Sequence, residues 1–394
     1  MAGAAEARSS RLSAVLREGE RVTPLELFFD LVFVLAITQC TSLMAHDPTW
    51  EGLAQGLLVL GMLWWSWTGY AWLTSVLDPE EGAVRLVMFG AMAALLLVSI
   101  CVPEAFGDLA LAFALIYGVV RAAHIALFML ASPEDDGLRH SVLALATSSA
   151  LAVALLALAS LFDGAAQGAL WALALFLDMG GPYLFGSEGW KLVPEHFAER
   201  HGLIVIIALG ESIVAIGLGA EHALDLGIGA AAVLGVALTA AMWWTYFDIV
   251  AIVSGRRLAE AEPGRVQNEL ARDSYSYLHL AMVAGIVLVA LGMKKTIGHF
   301  DGHLATVPAF ALLGGVALYL LGHVAFRWRQ IHTINRQRLG LAVVLLILVP
   351  VATEVPALLA LAVVNVLIWA MIAYETRSYG EGRRRVRRPE PAEA

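Results

Sequence analysis

The chain has 394 residues, 59% of them hydrophobic and 15% charged, with a net charge of −9. So apolar a balance excludes an ordinary soluble domain, and charges gathered in loops and tails give no support to nucleic-acid binding. Apolar runs of about 16 to 27 residues recur from Leu25 to Tyr374, near the roughly 20 a helix needs to cross hydrocarbon.

Helices satisfy their own backbone in lipid, whereas barrel strands would alternate in polarity, which these runs do not. The expected fold is therefore all-α: a polytopic helical membrane protein of about twelve spans. Residues 1–22 form a polar cytoplasmic tail. Its first twenty residues hold no apolar core of a cleavable signal, so the first span is expected to act as its own insertion signal. Thr23-Pro24-Leu25-Glu26 opens that span as a capping box, with Thr as N-cap, Pro at the first helical position and Glu three residues after the cap.

Span 1 runs to about Met44, and the next five cover about 52–75, 83–102, 107–131, 139–162 and 165–186. These make a first half over 23–186. A cytoplasmic connection, 187–201, leads to a second half over 202–375, with spans at about 201–219, 226–252, 274–294, 304–326, 338–353 and 355–374. Pro350, Glu354 and Pro356 leave open a single re-entrant element in place of the last two. Residues 376–394, a basic run with a Pro/Ala/Glu end, read as a disordered cytoplasmic tail. Cys40 and Cys101 are expected to be small packing residues rather than a disulfide.

Lys and Arg gather on the cytoplasmic side of membrane proteins. With the N-terminus inside, all of the 25 basic residues except Lys294 and Lys295 fall in cytoplasmic segments, so an even span count with both termini in the cytoplasm is expected. The halves also rhyme, as transporter halves often do. Asp30 precedes Trp64-Trp65 by 34 residues and Glu211 precedes Trp243-Trp244 by 32. Phe113-Ala-Leu is followed by His124, Phe310-Ala-Leu by His323, and Asp178 has a counterpart in Asn365. Two six-helix repeats in the same orientation are expected.

Acids, arginines and histidines inside apolar helices are costly and mark functional positions. The candidates for binding or a pathway are Asp30, Glu211, Glu199, Arg200, Asp178, His124, His279, His323, Arg121 and Asp248. Glu26 shares a helix face with Asp30, but its capping role already accounts for it. Asp30 needs a cation, with Arg85 or Arg121 the reachable ones. Arg200 and Glu211 lie about 16 Å apart along one helix and cannot pair, so Glu211 must find a partner on another helix or carry a proton. Asp178, before Gly180-Gly181-Pro182, reads as a helix end near the cytoplasmic interface. The spans with WWSWTGYAW (64–72) and WWTYFD (243–248) line a cavity or pack between helices. No P-loop, GxGxxG, HExxH or CxxC occurs, so no cofactor is expected, and His299, Asp301 and His303 are not read as metal ligands.

Glu26-Leu-Phe-Phe-Asp30-Leu-Val-Phe, His196-Phe-Ala-Glu199-Arg200-His201-Gly202-Leu and Leu209-Gly210-Glu211-Ser212-Ile carry a resemblance to the bacterial low temperature requirement A family, from about Val22 to Tyr374. The resemblance implies a multi-pass protein of the bacterial inner membrane, linked by name to growth in the cold. It brings no settled activity and no catalytic residues. The leading expectation is an ion- or proton-coupled transporter or channel using Asp30 and Glu211, with the bilayer as partner and an ion or small amphiphile as substrate. Behind it stand a membrane enzyme or lipid-binding protein at the cytoplasmic leaflet, using Glu199, Arg200, Asp178 and Arg121, and a non-catalytic sensor or scaffold in cold adaptation.

Overall fold

The computed structural model describes residues 21–80, 82–131, 136–184, 190–219 and 225–387. The first twenty residues, the start of the expected connection, Glu221 and the last seven residues lie outside them. Among the described residues the regular elements are helices, apart from isolated bridge residues such as the pair His303 and Pro356. In chain order the first seven are α1 (Pro24–His46), α2 (Trp50–Val76), α3 (Gly82–Cys101), α4 (Ala110–Ala131), α5 (Asp136–Ala159), α6 (Gly164–Leu184) and α7 (Pro194–Gly219). There follow α8 (Leu226–Phe247), α9 (Val250–Ala259), α10 (Arg265–Ala271), a π-helical segment (Arg272–Leu278) and α11 (His279–Gly298). The chain closes with α12 (Thr306–Ile331), α13 (Arg336–Ala352), α14 (Ala357–Ser378) and α15 (Gly380–Arg387).

Nine helices among the described residues are long and apolar enough to cross a membrane. The three other expected spans are helical but fall outside that set. The α2 helix is diluted by Trp, Ser and Thr, and α6 carries Gln167, Asp178 and Pro182. With 17 residues, α13 is short for a bilayer. The faces these helices do not bury are apolar, with Leu115, Val119, Leu151, Phe176, Ile347 and Val366 exposed. Large exposed apolar surface of this kind suits lipid rather than water.

Residues within Met1–Leu43, Ala54–Arg200 and Ala261–Glu269 form one compact unit. The expected capping box opens α1: the Thr23 N–H donates to Glu26 Oε2 (2.8 Å) and the Glu26 N–H to Thr23 Oγ1 (3.3 Å). Hydroxyls inside the helices are spent locally, as where Thr41 donates to the Ile37 carbonyl and Ser99 to that of Leu95. The α5 and α6 helices approach closely because residue 181 is glycine; a Cβ there would lie 2.6 Å from Ser148 Oγ. Cys40 and Cys101 are buried and are not joined in a disulfide.

The second unit holds Met44–Leu53, His201–Glu260 and Leu270–Ala394. Its core is the α11–α12 pair, nearly every residue of α11 being buried. Glycines let the two backbones meet: a Cβ on Gly285 would lie 2.6 Å from the Gly315 carbonyl oxygen, and one on Gly292 would lie 2.6 Å from Leu312 Cα. Asp225 caps α8 by accepting the Ile228 N–H, and Asn335 caps α13 by accepting those of Gln337 and Arg338. His332 ends α12 in the left-handed region at φ 53°. The turn after α11 seats the start of α14, with the Ala357 N–H donating to the Gly302 carbonyl. Pro350 lies in the last turn of α13, and Glu354 and Pro356 lie in the short turn that joins it to α14. Where a disordered tail was expected, Gly380–Arg387 is a helix.

Candidate functional site

Two buried ionic clusters lie in the first unit. The first is built from two helices that each present an i,i+4 pair on one face: Glu26 and Asp30 on α1, His196 and Arg200 in the opening turns of α7. All four are fully buried. Arg200 Nη1 donates to Glu26 Oε1 (3.0 Å) and to Thr74 Oγ1 of α2 (2.9 Å), while its Nη2 donates to Asp30 Oδ1 (2.6 Å). Its guanidinium carbon sits 5.6 Å from the centroid of Trp67, whose Nε1–H also donates to Asp30 Oδ1 (2.9 Å). His196 Nε2 lies 2.8 Å from Glu26 Oε1.

Two carboxylates and an imidazole thus meet at one guanidinium, and a proton can be shared between His196 Nε2 and Glu26 Oε1. Asp30 Oδ2 is buried with no hydrogen-bond partner, so the cluster also keeps an unused acceptor.

The second cluster is balanced. Arg121 of α4 donates through Nη2 to Asp178 Oδ1 of α6 (3.0 Å) and to Ser149 Oγ of α5 (2.7 Å). Ser149 Oγ donates in turn to Asp178 Oδ1 (2.7 Å), and the Tyr117 hydroxyl to Asp178 Oδ2 (2.7 Å). One cation meets one anion, and both carboxylate oxygens are bonded. His124, one turn beyond Arg121, packs its ring on Tyr70 and Phe128, and Gly69 makes the room, since a Cβ there would lie 2.8 Å from His124 Cε1.

These contacts correct three expectations. The cation beside Asp30 is Arg200, not Arg85 or Arg121: Arg121 is committed to Asp178, and Arg85 donates to the Glu80 carbonyl. Asp178 is not at a helix end, because α6 continues through Gly180-Gly181-Pro182 to Leu184. Glu26 does cap α1, yet only with Oε2; Oε1 serves Arg200 and His196. Glu199 stands apart from both clusters, exposed and accepting the Val22 N–H.

In the second unit the histidines gather with tyrosines. His279 Nδ1 donates to the Ser274 carbonyl in the π-helical segment (3.0 Å), so its Nε2 accepts from the Tyr246 hydroxyl (2.8 Å). The ring stacks on Tyr275 and meets His201 edge to face. His323 packs against Tyr246 and Tyr319. Asp248 ends α8 and pairs with Arg383 and Arg387 of α15. Glu211 is buried on α7. The residues that sequence reasoning passed over are His196, Trp67, Thr74, Tyr117 and Ser149, together with the Arg338–Glu375 pair of α13 and α14. The paired i,i+4 spacing of Glu26/Asp30 and His196/Arg200 was the available signal.

Membrane-length apolar helices whose interiors hold buried acids paired with arginines define a multi-pass helical membrane protein. The chain belongs to the family described as bacterial low temperature requirement A protein (LtrA), whose sequence model matches residues 21–373. It is similar to a protein of Rhizobium meliloti (strain 1021) that is described only as uncharacterized, 31% identical over 311 residues that cover 75% of each chain. No solved structure matches.

Proposed function

We propose that this protein is a proton-coupled transporter or channel of the bacterial inner membrane, with both termini in the cytoplasm, and that Glu26, Asp30, His196 and Arg200 form its proton-binding site. The observation that carries the reading is the buried imidazole of His196, whose Nε2 stands 2.8 Å from Glu26 Oε1 and can share a proton with it beside Arg200 and Asp30. The carboxylate of Asp178 is bonded instead by Arg121, Ser149 and Tyr117, which offer no such exchange near neutral pH. Glu211 and His279 are further candidates for proton handling within the second unit. The halves over 23–186 and 202–375 are the products of an internal duplication in this reading. Support comes from the recurring Trp-Trp and Phe-Ala-Leu spacings, and from a tyrosine that binds a backbone carbonyl across helices in each unit: Tyr70 to Val120 and Tyr319 to Met242.

The test is purified protein in liposomes carrying a pH-sensitive dye, with a pH gradient imposed and potassium varied. Wild type should dissipate the gradient, and Asp30→Asn should abolish that flux at unchanged folded yield. Wild-type liposomes as proton-tight as empty ones under every ion condition would overturn the proposal.

A further inference from the structure

Where α8 ends, the second unit encloses a cavity of about 350 Å³ that the proton site does not use. Its lining includes Trp244, His323, Arg327, Arg338 and Arg383, with Asp248 and Glu375. Arg338 Nη1 lies 2.7 Å from His323 Nδ1. A guanidinium only donates, so Nδ1 accepts and the imidazole proton must sit on Nε2. That Nε2–H is buried with no acceptor, on a residue 2% exposed. Trp244 Nε1, which can only donate, is likewise buried without a partner. Two N–H donors without partners thus sit on side chains that line one cavity, and buried donors of this kind call for an acceptor.

The charges point the same way. Both acids of the lining are already engaged: Arg338 holds Glu375 through two parallel bonds of 3.1 Å, with Asn335 on the same carboxylate, and Asp248 is held by Arg383 and Arg387. Three arginines against two acids leave the lining one positive charge in excess. The donors also come from different helices, α8, α12, α13 and α15. They would surround a tetrahedral oxyanion, whereas a planar carboxylate suits a single guanidinium fork like the one Arg338 gives Glu375.

We propose that this cavity binds a monoanionic phosphoryl group, supplied either by a free phosphate compound or by the phosphodiester headgroup of an acidic lipid. The His323 Nε2–H and Trp244 Nε1–H donate to its oxygens, and Arg327 and Arg383 supply the surplus charge. The proposal is independent of the proton site and shares no residue with it.

The test uses the full-length protein in neutral detergent. Melting temperature and native mass spectra are read with inorganic phosphate, glycerol 3-phosphate, short-chain phosphatidylglycerol and, as the zwitterionic control, short-chain phosphatidylcholine. Stabilisation by the phosphoryl anions but not by phosphatidylcholine is expected. A response to phosphate or glycerol phosphate makes the source a free solute, and a response to phosphatidylglycerol alone makes it the membrane. Trp244→Phe keeps the aromatic ring and removes one donor, and should weaken binding about tenfold, the range of a hydrogen bond to a charged group. Arg327→Gln, at an exposed position, should weaken it similarly without touching the core. No shift with any anion, an equal shift with phosphatidylcholine, or both variants binding like wild type would overturn the proposal.

Discussion

The two ionic clusters of the first unit are made of the same chemistry and differ in arithmetic. Arg121 and Asp178 cancel, and every oxygen of Asp178 is bonded. Arg200 faces two acids, and Asp30 retains an oxygen without a partner. Buried charge that is neutral and saturated resists change, because altering either partner strands the other. A buried carboxylate bonded to an imidazole can exchange a proton with it, so the Arg200 cluster is tied to protons in a way that the Arg121–Asp178 cluster is not. The comparison separates a lock from a site.

Substitutions can break this contrast, and the largest effect is expected at Arg200. Arg200→Gln leaves Glu26 and Asp30 with no cation and should cost at least about 3–5 kcal/mol, the range for breaking a buried pair. It is read as loss of folded protein in detergent. Arg121→Met strands Asp178 and should fall in the same range of about 3–5 kcal/mol, whereas Arg121→Met with Asp178→Leu should recover nearly all of it. Double-mutant melting curves measure that recovery, and its absence would mean that the second cluster does more than balance charge.

Smaller effects sharpen the picture. Gly69→Ala presses a methyl against His124 and Arg121 and should cost about 1–3 kcal/mol of stability as overpacking, measured by melting with the proton site intact. Thr74→Val removes one donor–acceptor contact to Arg200 and should cost about 1 kcal/mol. The smallest effect on folding is expected from Glu26→Gln and Asp30→Asn. Each removes one negative charge and keeps the shape of the side chain, so folded yield should stay near wild type while proton handling is lost.

Much of the fold was legible in the sequence and the site was legible in part. Apolar run lengths and the capping box at Thr23 placed most helices within a few residues of their ends, because local hydrogen bonding decides them. The continuity of α6 through Pro182 and the π-helical segment at Arg272–Leu278 was not legible. Both depend on what packs alongside, as Ser148 packs on Gly181 and the Ser274 carbonyl receives His279. The acids were found because charge in apolar sequence is rare. Their partners were missed because pairing is a long-range fact: Asp30 and Arg200 are 170 residues apart. Glu26 was set aside since one role sufficed to explain it, although a carboxylate has two oxygens and here uses each for a different purpose.

The measurement that tests the shared proton most directly is infrared difference spectroscopy of the purified protein between low and high pH, in wild type and Glu26→Gln. The account predicts that wild type gives up one proton from a buried carboxyl or imidazole of this cluster and that the band is absent from a folded Glu26→Gln. Identical difference spectra from the two proteins would contradict it and return the cluster to a structural role.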